Sequence, residues 1–372
     1  MPGFELFGDL EREQVQDVLE SGVLMRYGFD TMRNGHWKAK DLEEQLKEKF
    51  QVKHAQLVSS GTAAVSVALA SAGVGAGDEV IMPTFTFVAS FEAILMLGAI
   101  PVLVDIDDTL TLDTKAVEKA ITPKTKAVMV VQMCGSMGNM DALQNICETH
   151  NLIFVEDACQ AIGGTYKKKP LGSIADIGCF SFDFVKTMTC GEGGAVITNN
   201  EDYYINADHF SDHGHDHQGS DRGAESHPFL GYNFRLSELH AAVGLAQIKR
   251  LPEFLEIQKR NFNIIRNAIA RIPGVSFRKV PDGGVESCAF LNFFLPDLES
   301  ARKVSAAFKE NGIDVCFHYY DNNWHYVRKW QHLTGQKSLY PMSSEIKSGL
   351  EQLRTKVFVQ SDYFIGRNIS CL

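Results

Sequence analysis

The sequence predicts an α/β protein with a mainly parallel seven-stranded sheet in a large lobe and a smaller C-terminal α+β lobe. In the first part of the chain, short apolar runs alternate with helical patterns, which is the rhythm of βαβ units. Near residue 250 this changes to long helical stretches, followed by short strand-like segments. A chain of 372 residues is also longer than one hydrophobic core usually organises. We therefore predict a large domain, residues 1–250, and a small one, residues 251–372.

Seven apolar runs of strand length predict the sheet of the large domain. They are residues 55–58, 79–82, 101–105, 126–132, 152–156, 177–182 and 195–198. Helical patterns separate most of these runs. Residues 62–71 predict a helix that the glycine-rich GVGAGDEV ends, and residues 140–150 predict one that faces the sheet through Leu143 and Ile146.

Helices and short strands should alternate in the rest of the chain. Pro252 suits the first position of a helix, so we predict that it separates two helices, at residues 237–250 and 252–272. The following segments predict strands at 275–278, 287–295 and 314–318, and helices at 298–311 and 345–352.

Charge, hydropathy and cysteine spacing exclude several classes of protein. The formal net charge is −10, from 36 basic and 46 acidic residues, and no basic run could follow a phosphate backbone, so we expect no nucleic acid partner. The most apolar stretch, residues 93–104, contains Pro101 and is shorter than the roughly 18 residues that indicate a membrane span. The eight cysteines form no CxxC pair, and the start MPGFELFGDLEREQ contains no apolar targeting stretch. We expect a cytoplasmic protein without a membrane segment.

A carboxylate and an amine follow two of the predicted strands. Asp157 comes directly after strand 152–156, and Lys186 follows strand 177–182, before the turn Gly-Glu-Gly-Gly. Because the carboxyl ends of parallel strands face the ligand crevice, both side chains should project into one pocket. Taken alone, the two residues are equally consistent with a structural ion pair.

Two motifs at other strand ends suggest what the pocket binds. SSGTAA, residues 59–64, runs from a strand into a helix, and its small residues let backbone N–H groups converge at the positive helix end. This turn either binds a phosphate or only caps the helix. PTFTFVA, residues 83–89, offers an aromatic face, either to a planar ligand or to the core.

Phosphate cradle, aromatic face, carboxylate and solitary lysine together favour pyridoxal 5′-phosphate (PLP). The lysine would form a Schiff base with the cofactor, and the carboxylate would keep the pyridine nitrogen protonated so that the ring accepts electrons. The phosphate would anchor the ring.

Five stretches in the same order resemble the DegT/DnrJ/EryC1/StrS family of sugar aminotransferases, which has the aspartate-aminotransferase fold. They are SSGTAAVSVAL, MPTFTFVAS, VEDACQAIGG, CFSFDFVKTMTCGEGGAVIT and GYNFRLSELHAAVGLAQIKRL. The resemblance covers most of the chain, and five motifs in one order are far more specific than any one of them.

The resemblance implies a role for each matching residue. Lys186 would be the Schiff-base lysine and the acid and base of proton transfer, Asp157 would pair with the pyridine nitrogen, and Gln160 would bind the ring 3-oxygen. The other cofactor contacts would be Gly61, Thr62 and Ser181 on the phosphate, Phe87 stacked on the ring, and Asn233 reaching the phosphate from the neighbouring subunit. The resemblance thus implies a homodimer with its active site at the subunit interface.

The same resemblance implies the reaction. L-glutamate would donate an amino group to a keto or aldehydo sugar, and Arg235 would meet a substrate carboxylate. Related dehydratases carry histidine where this chain has Lys186, so amino transfer is favoured. A PLP-dependent sugar dehydratase and a non-catalytic regulatory relative remain the alternatives.

Residues 209–227 contain five of the twelve histidines. Three interpretations stay open: a metal site, a solvated loop, or a wall of the substrate site, and we expect no metal. The stretch HFSDHGHDHQGSDRGAESHP is similar to a subset of the family that converts an 8-oxo-octulosonate into 8-amino-3,8-dideoxy-manno-octulosonate for lipopolysaccharide. Arg222 or His215 would then bind the carboxylate of the sugar acid. A nucleotide-linked keto-deoxy sugar is the alternative acceptor.

His318 and Tyr319, after the predicted strand 314–318, lie where relatives contact their substrates. They are candidate substrate contacts, and packing in the core is an equally good explanation for the tyrosine.

Overall fold

A computed structural model describes residues 2–219, 221–339 and 341–372 of the chain. Its strands are β1 His54–Val58, β2 Glu79–Pro83, β3 Ile100–Val104, β4 Thr125–Val131, β5 Ile153–Asp157, β6 Thr165–Tyr166, β7 Lys169–Pro170, β8 Ile177–Ser181, β9 Gly194–Thr198, β10 Ser276–Phe277, β11 Gly284–Val285, β12 Leu291–Phe294, β13 Cys316–Phe317 and β14 Asn368–Cys371.

The helices are α1 Asp9–Ser21, α2 Lys38–Phe50, α3 Gly61–Ser71, α4 Val88–Met96, α5 Thr114–Ala120, α6 Met140–His150, α7 Glu201–Ser211, α8 Glu238–Ile269, α9 Leu298–Glu310, α10 Gln331–Thr334, α11 Ser344–Thr355 and α12 Val359–Arg367. Short 3₁₀ turns lie at Gly3–Leu6, Asp30–Met32, Met133–Gly135 and Val327–Lys329.

The largest sheet has seven strands in the order β1-β9-β8-β5-β4-β2-β3. β9 is antiparallel to β1 and β8, whereas β5 is parallel to β8, and β2 is parallel to both β3 and β4. The predicted mainly parallel seven-stranded sheet is confirmed. All seven strands were recognisable because they are buried almost throughout, so each one is a continuous apolar run.

The chain forms two compact units. The first comprises Met1–Gly73, Val155–Ile162 and Gly172–Ile257, and the second comprises Val74–Phe154, Gly163–Leu171 and Gln258–Leu372. One unit boundary, between Ile257 and Gln258, falls close to residue 250. The predicted division into domains 1–250 and 251–372 stays a prediction.

The helix around Pro252 corrects the sequence analysis. We expected two helices separated at this proline, but α8 is one helix of 32 residues with Pro252 inside it. A proline in a helix interior removes one hydrogen bond and crowds the preceding turn. Burial on either side explains why the helix continues, because Ile248, Leu251 and Phe254 are at most 6% exposed.

The second unit contains a four-stranded sheet in the order β10-β12-β14-β13. The strand β14 was not predicted, although it lies inside this sheet. Cys316 of β13 and Cys371 of β14 are register partners and form a disulfide. Their spacing of 55 residues gave no sign of the pair, because strand register brings the two cysteines together.

No helix in the described part of the chain has the length and apolar character that a membrane span requires.

Candidate active site

In the first unit, β9 lies between β1 and β8 and pairs with both, so the ends of β1 and β8 flank the start of β9. Val58 of β1 and Ser181 of β8 are both register partners of Gly194. A β-carbon on Gly194 would lie 2.4 Å from the carbonyl oxygen of Ser60, so a larger residue could not occupy this position without a backbone shift. The turn after β1 therefore lies directly beside Ser181.

Gly61 and Ser181 form a narrow cradle at the first turn of α3. A β-carbon on Gly61 would lie 2.6 Å from the Ser181 Cβ and 2.9 Å from its Oγ. The Ser60 hydroxyl caps the helix by accepting a hydrogen bond from the Ala63 N–H at 3.0 Å. The N–H groups of Gly61 and Thr62 have no acceptor within the helix. The cradle thus presents donors and the positive helix end to an anion such as phosphate.

Asp157 is fixed at the end of β5, beside β8. Its side chain is nearly buried, with 4% exposure, and Cys179 is its register partner. One carboxylate oxygen accepts a hydrogen bond from the Cys159 N–H at 3.1 Å. The next residue is also tied to β8, since the Ala158 N–H donates to the Cys179 carbonyl at 2.9 Å. The carboxylate therefore has a defined position at the sheet edge.

Lys186 lies in a short loop that follows β8. Its N–H donates to the Asp183 carbonyl at 3.0 Å, and the Asp183 carboxylate accepts the Val185 N–H at 3.2 Å. Lys186 is partly buried, whereas Phe184 and Val185 are more than half exposed. The turn therefore directs its two apolar residues outward and keeps the lysine partly covered.

The Cys159 thiol is close enough to both Asp157 and Lys186 for their charges to affect its pKa. Burial raises the pKa of Cys159 well above its ordinary value, the Asp157 charge raises it further, and the Lys186 charge opposes them. The thiol thus lies within electrostatic reach of both groups, as one shared pocket requires.

These groups fit PLP. The cradle of Gly61, Thr62 and Ser181 suits the phosphate, the Asp157 carboxylate suits a protonated ring nitrogen, and the Lys186 amine suits the aldehyde carbon. A planar cofactor that carries a phosphate, a basic nitrogen and an aldehyde would use each of them.

The sequence profile of the DegT/DnrJ/EryC1/StrS aminotransferase family matches residues 7–361. The chain belongs to this family. It is a PLP-dependent sugar aminotransferase, as the motifs predicted, and it has the aspartate-aminotransferase-like fold.

Individual relatives match this chain over nearly its whole length. The GDP-perosamine synthase of Vibrio cholerae is 32% identical over 337 residues, which cover 90% of this chain and 88% of that protein. The solved structure of an aminotransferase from Psychrobacter cryohalolentis has a TM-score of 0.85 at 26% identity and covers 98% of this chain and 92% of its own. The structure of 3-amino-5-hydroxybenzoic acid synthase has a TM-score of 0.80 at 29% identity and covers 98% and 91%.

Two further predicted cofactor contacts lie in the first unit of this aminotransferase. Gln160 is partly buried and lies in the turn after β5, in which the Ala161 N–H donates to the Ala158 carbonyl at 2.9 Å. Asn233 is exposed, and its side-chain oxygen accepts the Arg235 N–H at 3.3 Å. An exposed side chain is what a contact to a neighbouring subunit requires, and the roles of both residues stay predictions.

Phe87, His318 and Tyr319 belong to the second unit. Phe87 precedes α4 and is 44% exposed, so its ring is open to a ligand. The His318 Nε2 lies 2.9 Å from the Gly366 carbonyl oxygen, and its Nδ1 lies 3.2 Å from an Asp321 oxygen. Tyr319 is 2% exposed, with its ring 4.5 Å from that of His325. Tyr319 is thus packed in the core in this structure, and its role in substrate binding stays a prediction.

The loop of residues 212–235 is organised around the buried carboxylate of Asp212. Arg222 donates to both of its oxygens, at 2.9 and 3.1 Å, and Arg235 donates to one of them. His217 adds a bond at 2.8 Å. Burial disfavours the charged carboxylate, but these hydrogen bonds outweigh burial and hold the pKa of Asp212 well below its ordinary value. Arg222 and Arg235, which were predicted to bind a substrate carboxylate, are therefore held together by the carboxylate of Asp212.

His217 lies between two carboxylates. Its Nδ1 is 2.6 Å from Asp208 and its Nε2 is 2.8 Å from Asp212, while its ring stacks on Tyr27 at 4.0 Å between centroids. Burial disfavours a charged ring, but the two hydrogen bonds outweigh it and raise the pKa of His217 to about 9. Both ring nitrogens therefore donate at neutral pH, and this part of the loop is a buried ion-pair network rather than a solvated segment.

His215 also faces a carboxylate, and its ring contacts that of another loop histidine. The Nδ1 of His215 is 2.8 Å from Glu225, and its ring lies 4.1 Å from that of His227. Burial and the nearby Arg222 charge lower the pKa of His215. Within residues 2–219, 221–339 and 341–372, no group of three or more His, Cys, Asp or Glu side chains could hold a metal ion.

Sequence reasoning missed Asp208, Asp212 and Tyr27. The alternation of acidic residues and histidines in SDHGHDH was a usable signal for Asp212, since it places hydrogen-bond acceptors among donors. No local signal marked Tyr27, whose hydroxyl donates to Asp208 at 2.8 Å across 181 residues of sequence.

Proposed function

We propose that this enzyme transfers the amino group of L-glutamate to the carbonyl carbon of a sugar, with Lys186 as the lysine that bonds to PLP. The supporting observation is the arrangement in the first unit, where the Gly61–Ser181 cradle, Asp157 and Lys186 follow or end the strands β1, β5 and β8 of one sheet. These are the positions at which ligands bind in open α/β sheets.

Each residue then has a defined task. Bound PLP supplies an electron sink for the carbon next to the substrate nitrogen. The Lys186 amine would act as the base that removes the proton from the glutamate α-carbon and as the acid that delivers a proton to C4′ of the cofactor. The Asp157 carboxylate holds the proton on the ring nitrogen, and the cradle of Gly61 and Ser181 keeps the ring from rotating by binding its phosphate. The sugar carbonyl receives the amino group by the reverse steps, so ping-pong kinetics follow.

The substitution Lys186→Ala tests this assignment. We expect turnover to fall by at least about 1,000-fold. We also expect loss of the absorbance band at about 420 nm, which reports the lysine–cofactor bond. The control is Lys53→Ala, which removes an exposed lysine just before β1. A Lys186→Ala variant that keeps both the band and the turnover would refute the assignment.

For the acceptor, we propose a free sugar acid, namely 8-oxo-3,8-dideoxy-manno-octulosonate, which would yield the 8-amino sugar acid for lipopolysaccharide. Arg222 and Arg235 support this, since Asp212 holds the two guanidinium groups side by side and engages only part of their N–H donors. The Arg235 backbone also pairs with Val58 at the end of β1, beside the phosphate turn. A substrate carboxylate bound by these two arginines would lie near the same strand ends as the proposed cofactor site.

A panel of acceptors distinguishes this proposal from a nucleotide-linked keto-deoxy sugar, the alternative that the GDP-perosamine synthase relative favours. With L-glutamate as donor, we expect the octulosonate to be consumed and the nucleotide-linked sugar to be a poor substrate. Arg222→Gln should lower kcat/KM for the sugar acid by about 10- to 100-fold, because a charge-assisted hydrogen bond is lost. Arg12→Gln, on the exposed face of α1, is the control. Activity confined to the nucleotide-linked sugar would contradict the proposal.

We further propose a homodimer in which Asn233 of one subunit contacts the cofactor phosphate of the other, in the cytoplasm. The exposure of Asn233 and its position two residues from Arg235 support this arrangement.

A further inference from the structure

The N-terminal segment contacts the loop that carries Lys186 at two points. The Gly3 N–H donates to the Lys186 carbonyl at 2.9 Å. The next residue, Phe4, stacks on Phe184, with 4.2 Å between ring centroids and 8° between planes. One backbone bond and one ring pair thus join the start of the chain to the lysine loop.

Buried polar groups hold this segment in place. The Gly3 carbonyl accepts a bond from the Gln247 side chain at 3.3 Å, and the same amide donates to Glu11 at 2.7 Å. Glu11 is fully buried, and Arg250 donates both to it and to the Leu6 carbonyl. The helices α1 and α8 therefore fix the position of Gly3 through these side chains.

Gly3 has no room for a side chain. A β-carbon there would lie 2.1 Å from the Gln247 Oε1 and 2.8 Å from the Thr187 carbonyl oxygen. The Thr187 oxygen is backbone, so it cannot move without moving the loop itself. The absence of a side chain at this position is what allows the segment to reach Lys186.

The contacts of the N-terminal segment add to the hydrogen bonds within the lysine loop. Within the loop, Asp183 accepts the N–H groups of Val185 and Lys186. The ring of Phe184 is 53% exposed even though Phe4 stacks on it. Without the N-terminal segment, the Lys186 carbonyl would lose the hydrogen bond that it accepts from the Gly3 N–H.

We propose that Gly3 and Phe4 are positioning residues that fix the backbone of Lys186, and through it the place of its amine relative to the reacting carbon. A bond to the lysine carbonyl restricts the backbone rotation that determines where the side chain starts. A misplacement of about 1 Å at a reacting group costs about 100-fold in rate. This inference rests on the proposed function in one respect, the role of Lys186.

The first test compares two glycine substitutions in the same segment. Gly3→Ala should slow the first half-reaction with L-glutamate by about 10- to 100-fold, measured by stopped-flow absorbance, and should speed the release of PLP into buffer. Gly8→Ala is the matched control, because the nearest atom to its new β-carbon would be 3.7 Å away. It should react within about twofold of the wild-type rate.

The second test removes the ring pair and covers the case in which Gly3→Ala does not fold. Phe4→Ala should slow the half-reaction and speed PLP release, while Phe4→Tyr, which keeps a stacking ring, should restore both. The control is Phe7→Ala, since Phe7 is 46% exposed in the same segment and has no ring partner among the described residues. Thermal unfolding of each variant separates a positioning effect from a loss of stability.

Borohydride trapping followed by peptide mass analysis keeps the two proposals distinct, because it marks the lysine that bonds to PLP. A mark on any other lysine refutes the proposed function. A mark on Lys186, with Gly3→Ala and Phe4→Ala both reacting within about twofold of wild type, overturns the positioning role alone.

Discussion

At the scale of single residues, the phosphate cradle depends on a β-carbon that the chain lacks. Gly61 approaches Ser181 so closely that any side chain would enter the space of its Cβ. Because Ser181 is fixed by its pairing with Gly194 in the sheet, it has little freedom to move away. The shape of the cradle therefore depends on the missing side chain of Gly61 together with the fixed side chain of Ser181.

Gly61→Ala should weaken PLP binding by about 10- to 100-fold, since overpacking of this kind typically costs about 1–3 kcal/mol and here distorts the phosphate donors. The measurement is equilibrium titration of the apoprotein with PLP, followed by absorbance. Gly75→Ala is the control, because its new β-carbon would have no neighbour within 4 Å. A wild-type PLP affinity in Gly61→Ala would show that the phosphate lies elsewhere.

At the scale of elements, the loop of residues 212–235 is held by charge rather than by regular structure. Asp212 joins His217, Arg222 and Arg235, and its backbone pairs with Asn233. His213 and His217 have left-handed φ angles of 58° and 52°, which are unfavourable for residues with a side chain. Ion pairs with Asp208 and Asp212 keep His217 in place, and the His213 N–H donates to the Tyr232 carbonyl at 2.9 Å.

The contribution of His217 should depend on pH. Its folded-state pKa is raised to about 9, above the ordinary value of 6.5, so its stabilisation is complete below pH 6.5 and disappears as pH rises through 9. We expect His217→Gln to lower the free energy of unfolding by about 2 kcal/mol at pH 6, and by much less at pH 9.5. Urea unfolding of both proteins across this range measures the difference.

The control for this prediction is His150→Gln, which removes an exposed imidazole from the last turn of α6. A difference between wild type and His217→Gln that stays constant from pH 6 to 9.5 would mean that the imidazolium bridge contributes nothing.

At the scale of the whole molecule, the proposed homodimer predicts complementation between two inactive variants. Lys186→Ala destroys the site to which its own chain gives the lysine, and Asn233→Asp, by repelling the phosphate, should impair the site of the neighbouring chain. In a mixed dimer, one of the two sites then has both native residues. Random mixing after reversible dissociation should restore about a quarter of the wild-type activity.

Sedimentation of the mixture provides the companion measurement, with each variant alone as the inactive reference. A fully active monomer, or a mixture as inactive as its components, would count against a shared site. Asn233 would then have to act within its own chain.

The sequence was sufficient to predict the seven-stranded sheet and the cofactor, and it supplied the residues that we propose hold the cofactor. Those strands are buried apolar runs, and Asp157, Lys186 and Gly61 belong to motifs whose chemistry is local. The strands β6, β7, β11 and β14 left no such pattern, because their pairing partners rather than their composition define them. At Pro252 the sequence predicted a boundary between two helices, but packing on both sides of the proline keeps α8 continuous.

Only the tertiary structure decided which distant groups meet. Gly3 reaches Lys186 across the sequence, Tyr27 bonds Asp208, and Cys316 pairs with Cys371. None of these contacts has a local signature, because each depends on the path of the backbone between its partners. Candidate residues for binding the cofactor could therefore be proposed from motifs, whereas those that would position the lysine and the arginines could be recognised only in the folded chain.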